Sequence, residues 1–206
     1  MTEFLERLHR FRQTDGWIFG TMLFSACISL LASFVLSIDA IELARDRNAA
    51  LSCNISAVIS CGTVGVSWQA SLFRFPNAFL GLVAEPVVIT IAVASLAKVT
   101  FPRWFMLSAQ IVYFLGFLFA YWLFFQALFV IGALCPWCLL VTLSTTLVFT
   151  TLTHVNIRDN NLFLPPRALA AARTGLRLGL DALIATLLLA GVVALILWKY
   201  GSHLFA

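Results

Sequence analysis

The chain has 206 residues, of which 62% are hydrophobic and 11% charged, with a formal net charge of +4. A soluble domain carries about twice that charged fraction, so the composition excludes a soluble globular protein and defines an integral membrane protein. The excess of positive charge lies in short loops between apolar runs and gives no case for nucleic-acid binding.

Residues 1–16 are polar, with Arg7, Arg10 and Arg12. Phe4, Leu5, Leu8 and Phe11 recur at helical spacing, as in a segment lying along a membrane surface. Trp17 to about Ile38 is long enough to cross a hydrocarbon core of roughly 30 Å. A cleaved signal peptide competes with this reading, but the run is long for one and lacks a small-x-small exit, so a retained helix is expected. Residues 39–77 form the one long polar loop, and Ala78 to about Ala97 is a second span interrupted by Glu85-Pro86. Lys98 to Arg103 is a basic turn, and Trp104 to about Ile131 is a third span dense in phenylalanine. Gly132-Ala133-Leu134 turns into a fourth helix that opens on Cys135-Pro136-Trp137-Cys138 and runs to about Thr153. Residues 154–177 are polar and carry four arginines, and Leu178 to Trp198 is a fifth span.

Orientation follows from the basic residues. With the N-terminus inside, nine of the 13 (Arg7, Arg10, Arg12, Lys98, Arg103, Arg158, Arg167, Arg173, Arg177) are cytosolic. The other four (Arg45, Arg47, Arg74, Lys199) are outside. Both cysteine pairs then fall on the extracytoplasmic side, which permits disulfides.

A C-x-x-C at a helix start places its sulfurs where unpaired N–H groups and the positive end of the helix dipole stabilise a thiolate. Pro136 suits the first turn. Cys53 and Cys61 lie in a segment rich in Ser, Gly and Ala that can close as a disulfide and reopen. A structural staple is the plain alternative for that pair. Four-cysteine zinc is another, though the wide first spacing suits a tetrahedral site poorly and no metal is expected. Two exchanging pairs on one face suggest a relay that ends on a lipid-soluble acceptor, for which a quinone is the natural choice.

The order Cys53…Cys61, Ser67, Asn77 in Pro76-Asn77-Ala78-Phe79-Leu80-Gly81, then Cys135-Pro136-Trp137-Cys138, resembles the vitamin K epoxide reductase family, specifically its bacterial disulfide-forming members. The resemblance covers roughly residues 17–153. The other class of quinone-linked disulfide oxidoreductase places its C-x-x-C before its separated pair. The resemblance implies that Cys53 exchanges with a thioredoxin-like partner and that Cys61 transiently pairs with Cys135. Cys138 would face the quinone and form a covalent adduct with it, Asn77 would hydrogen-bond a quinone oxygen, and Ser67 would help order the loop over the site. Vertebrate members carry tyrosine where this chain has Thr142, which puts epoxide reduction and the vertebrate inhibitor response in doubt. Many bacterial members carry a fused thioredoxin-like domain after the fifth span. With the chain ending at Ala206, a separate partner protein is expected.

The remaining candidates are weighed singly. Glu85, inside a span, either serves the quinone site and proton movement or is a neutral acid hydrogen-bonded across the bundle. Cys27 is expected to be a small core residue, and His154 to favour a helix C-terminus over a ligand role. Asp39 and Asp181, near span ends, need no function. Trp68, Trp104, Trp122 and Trp137 line the site or anchor at the interface.

The expected fold is all-α and polytopic: a four-helix bundle around a quinone site plus a fifth transmembrane helix. Its parts are a cytosolic segment 1–16, a catalytic bundle 17–153 with extracytoplasmic loop 39–77, a cytosolic loop 154–177, and the fifth helix with its tail, 178–206. The expected activity is reoxidation of an extracytoplasmic thioredoxin-like thiol oxidase, with electrons passed to a menaquinone, ubiquinone or phylloquinone type of acceptor. The low-pKa step is expected at Cys138, released when Cys61 joins Cys135. The alternatives are a quinone or quinone-epoxide reductase, whose purpose is the reduced quinone, a scaffold with two structural disulfides, and transport. A bacterial plasma membrane is expected over an endoplasmic reticulum one.

Overall fold

A computed structural model describes residues 11–56 and 58–204, so most of the surface-lying segment expected at residues 1–16 is outside the described residues. The helices are α1 (Asp15–Arg45), α2 (Cys61–Gly65), α3 (Ala78–Leu96), α4 (Arg103–Phe125), α5 (Pro136–Arg158), α6 (Pro166–Leu178) and α7 (Leu180–Leu204). A 3-10 turn occupies Trp68–Ser71, and α4 continues as a π-helix over Gln126–Ile131. Among the described residues five helices are long and apolar enough to cross a membrane: α1, α3, α4 with its π extension, α5 and α7. The protein is an all-α polytopic membrane protein.

The bundle is organised by α1, which packs against α3 and α5, while α4 packs on α5. Ser25, Ser29, Ser33 and Ser37 recur every fourth residue and are all buried, giving α1 a narrow inward face of small side chains. Such a face lets two backbones approach closely without a hydrophobic driving force between them. The approach is tightest at Gly81 of α3, where a Cβ would lie 2.1 Å from Ser33 Oγ. Four residues on, Glu85 accepts hydrogen bonds from Ser29 Oγ (2.7 Å) and Tyr113 Oη (3.0 Å), joining α1, α3 and α4. The carboxyl is thus partnered across the bundle, as the structural alternative for Glu85 requires. Cys27 differs from expectation. Two positions from the serine stripe is about 200° of helix rotation, so its thiol is exposed on the outer face beside Leu30, Leu31 and Phe34.

Ion pairs gather at one end. Asp15, in the first turn of α1, pairs with Lys98 after α3 (2.8 Å) and with Arg158 at the end of α5 (2.6 Å). Asp181, opening α7, pairs with Arg12 (3.3 Å) and His154 (2.7 Å). The chain between α5 and α7, expected as a polar stretch, contains the amphipathic helix α6. Pro166 starts it, Gly179 at φ 80° ends it, Leu176 is buried, and Arg167, Arg173 and Arg177 are exposed. Residues 46–56, 58–77 and 126–138 lie at the opposite end. There α1 continues seven residues beyond its expected limit of Ile38, and Leu43 on this extension packs with Leu51 and three of the cysteines.

Candidate active site

Local hydrogen bonds shape the loop that carries the first cysteine pair. Ser60 caps the short helix α2 by accepting from Thr63 N (3.2 Å), and Asn54 Oδ1 accepts from Gly62 N (2.9 Å). On the other side, Gly132 at φ 76° turns the chain out of the π-helix, a conformation that costs glycine little. The turn brings Leu134 alongside Ile59 as a parallel bridge. Leu134 N donates to Val58 O (2.7 Å) and Ser60 N to Leu134 O (3.0 Å). Each bonded residue directly precedes a cysteine or lies within three of one, so two backbone bonds set the register of the sulfurs.

All four expected cysteines meet here. Cys53 and Cys61 form a disulfide, and Cys135 and Cys138 are free thiols. Cys135 Sγ lies 3.4 Å from Cys61 Sγ, with both residues buried. A thiol at that separation from a disulfide sulfur is positioned for exchange. Cys135 is also the N-cap of α5, and its sulfur accepts from Cys138 N (3.3 Å). The Cys138 thiol and that backbone N–H hold Cys135 below the usual thiol range, against the opposing effect of burial. With Cys53 bonded to Cys61, the favoured thiolate is therefore at Cys135. The release of Cys138 expected from the sequence belongs to the other redox state, in which Cys61 is joined to Cys135.

Ser67 and Asn77 direct their hydrogen bonds to the loop backbone. Ser67 Oγ donates to Val64 O (2.6 Å). Asn77 Nδ2 donates to Gln69 O (2.6 Å), while its Oδ1 accepts from Leu72 N (3.2 Å). Asn77 thereby pins the segment that leads back to the cysteines. Gln69 is buried and donates to Gln126 Oε1 on the π-helix (3.3 Å), tying the loop to the end of α4. Trp137 packs among the cysteines, whereas Trp104 is exposed at the other end.

The sequence reading did not single out Gln69 or Gln126, and it left Asp39 without a function. Asp39 Oδ2 lies 3.7 Å from Cys53 Sγ, and a carboxylate oxygen of Asp39 and the two bonded sulfurs all fall within 4.8 Å of one another. The available signal was an acidic residue beside an apolar span. Its 14-residue separation from Cys53 hid the contact.

Two cysteine pairs brought together at one end of a helical membrane bundle are the arrangement that membrane oxidoreductases working through thiol–disulfide chemistry require. More specifically, residues 21–153 match the family model described as the Vitamin K epoxide reductase family, and the chain belongs to that family. Membership implies a membrane oxidoreductase linking thiol–disulfide exchange to quinone. No curated protein matches the chain.

Proposed function

We propose that the chain reoxidises an extracytoplasmic thioredoxin-like thiol oxidase and delivers the electrons to a membrane quinone, supporting disulfide formation. The observation that carries this reading is the 3.4 Å approach of Cys135 Sγ to Cys61 Sγ. It is the contact a relay between the two pairs requires.

The relay closes in atoms and electrons. A partner thiolate attacks Cys53 Sγ, the Cys53–Cys61 bond breaks, and Cys61 leaves as a thiolate. Cys61 then attacks Cys135 of an oxidised Cys135–Cys138 pair, and Cys138 leaves with the electron pair. The partner's second thiol displaces Cys53 and departs oxidised. Cys53 closes again on Cys61 and frees Cys135. The redox state in the structure, with Cys53 bonded to Cys61 and the other two as thiols, is the one that follows this closure. Two electrons and two thiol protons leave the partner in each cycle.

The residues present fit a quinone. Cys138 is half-buried at a helix start among apolar neighbours, and Asn77 has a second amide N–H besides the one given to Gln69 O. In this reading Cys138 faces the quinone, Asn77 donates to one of its oxygens, and Ser67 keeps the loop ordered above it. When bound, the quinone supplies the sink for two electrons and two protons. The excess of basic residues at the ion-paired end supports a cytosolic N-terminus and an extracytoplasmic cysteine end. The division into bundle 17–153, cap 39–77, link 154–177 and fifth helix 178–206 belongs to the same reading, as does a bacterial plasma membrane.

Cys138→Ser is the test. The variant is expected to trap a mixed disulfide with a reduced thioredoxin-like protein and to lose quinone reduction by at least about 10²-fold, measured by quinone absorbance in purified chain. Unchanged quinone reduction would refute the assignment. Turnover with a quinone epoxide and not with quinone would favour the reductase alternative.

A further inference from the structure

We infer that Asp39 is a catalytic base and acid for Cys53. It takes the Cys53 thiol proton when that sulfur attacks and returns it when the sulfur leaves. The inference rests on the exchange between the two cysteine pairs proposed above, but not on the identity of the electron acceptor.

The geometry is specific to one sulfur. Asp39 sits on the extension of α1, is 9% exposed, and places Oδ2 3.7 Å from Cys53 Sγ. That is within hydrogen-bonding range for a thiol. In the disulfide form Cys53 has no proton to donate, so the contact gains its meaning when the bond opens. Cys53 also has a different local environment from Cys135. Cys135 caps a helix and takes a backbone N–H. Cys53 lies in a loop, outside any helix, and is buried. Among the described residues the polar atom facing Cys53 Sγ is a carboxylate oxygen rather than an N–H, so this sulfur lacks the help in giving up a proton that Cys135 receives. An adjacent carboxylate removes that difficulty by accepting the proton during attack.

The step concerned is the closure of the relay. Cys53 Sγ attacks Cys61 Sγ of the Cys61–Cys135 mixed disulfide, forming the Cys53–Cys61 bond and breaking Cys61–Cys135. The electron pair leaves on Cys135, the thiolate that the Cys138 donors stabilise. The Cys53 proton passes to Asp39 Oδ2. In the reverse direction Asp39 protonates Cys53 as Cys135 attacks Cys61. No oxidant is consumed, because the step only exchanges one disulfide for another.

The charged and titratable groups around Asp39 are Glu42 on the same helix, Cys53 and Cys61 on the loop, and Cys135 and Cys138 at the start of α5. Among the described residues none of these neighbours is basic, so none holds the carboxylate in an ion pair. Its oxygen is therefore available to the sulfur.

The test uses the full chain carrying Cys138→Ser, which confines exchange to Cys53, Cys61 and Cys135. After a pH jump, samples are acid-quenched and the Cys53–Cys61 and Cys61–Cys135 forms are counted by mass spectrometry. Neither quinone nor partner is present. With Asp39 as base, the exchange rate is nearly constant across neutral pH. Asp39→Asn is expected to slow it about 10²-fold and to make it rise about tenfold per pH unit, because Cys53 must then ionise unaided. Asp39→Glu is expected to restore a flat profile. A purely structural Asp39 would alter stability without changing the form of the profile. Equal rates and profiles in the Asp39→Asn and parent chains overturn the inference. So does a parent rate that already rises tenfold per pH unit, which decides the matter even if the Asn variant does not assemble. Absence of any exchange would overturn the relay as well. Asp39-dependent exchange in a chain that never reduces quinone would leave this inference standing and refute only the acceptor.

Discussion

At the scale of single residues, function concentrates where a side chain receives more than one favourable contact. Cys135 combines helix capping, a thiol donor and a disulfide neighbour, which is why its thiolate is favoured over that of an ordinary cysteine. Its largest stabilising contact is the Cys138 thiol, so Cys138→Ala should raise the pH at which Cys135 ionises. Cys138→Ser, which keeps a hydroxyl donor, should raise it less. Ultraviolet thiolate absorbance, taken as the difference from a Cys135→Ser chain, reads both shifts. In the parent chain the midpoint should lie below that of an unperturbed cysteine. The sign for stability follows. Because folding lowers this thiol's pKa, the linked stabilisation is complete above the unfolded value and is lost as pH falls through the folded one. Unfolding measured in the disulfide-intact chain should therefore become easier on acidification across that window, and a Cys135→Ser chain should lack this component.

At the scale of elements, the serine stripe of α1 and Gly81 of α3 form one closely fitted contact. Gly81→Ala would place a methyl against Ser33 Oγ and Cβ, forcing α1 and α3 apart. The expected cost is about 1–3 kcal/mol, measured by thermal unfolding in detergent. Adding Ser33→Gly should recover part of it, and an unchanged melting point in the single variant would show that the helices yield freely. The spans themselves were legible in the sequence because long apolar runs have few alternative structures, and the four cysteines were legible because their types and order are distinctive. Helix α6 was hidden by its arginines and prolines, which resemble a loop when read without the partner surface that buries Leu176. The extension of α1 to Arg45 was hidden because its apolar partners, Leu51 and the cysteines, arrive from elsewhere in the chain. Gln69 and Gln126 were missed, and Asp39 was left without a function, for the same reason. Their contacts are with residues distant in sequence, and no periodic pattern announces them.

At the scale of the whole molecule, the bundle is divided between an ion-paired end and a sulfur end. The fifth span reaches both. At one end Asp181 accepts from Arg12 and meets His154; at the other the Tyr200 hydroxyl donates to Leu128 O (3.4 Å) behind Leu134. Asp181→Ala leaves a buried imidazole and a part-buried guanidinium without their carboxylate, at an expected cost of about 1–3 kcal/mol. The loss should appear as faster protease cleavage between α5 and α6, with the cysteine chemistry retained. Cleavage as slow as in the parent chain would show that α7 is held by its apolar contacts alone. The bridge between Ile59 and Leu134 has a different consequence, for motion. Those two backbone hydrogen bonds fasten Cys61 and Cys135 to a common frame, so in the proposed exchange a visiting thiol would need only to displace the segment leading into Cys53. In that relay the inner sulfurs would serve as fixed terminals and the outer one as the moving contact of a switch, confining reorganisation to a few residues at the rim.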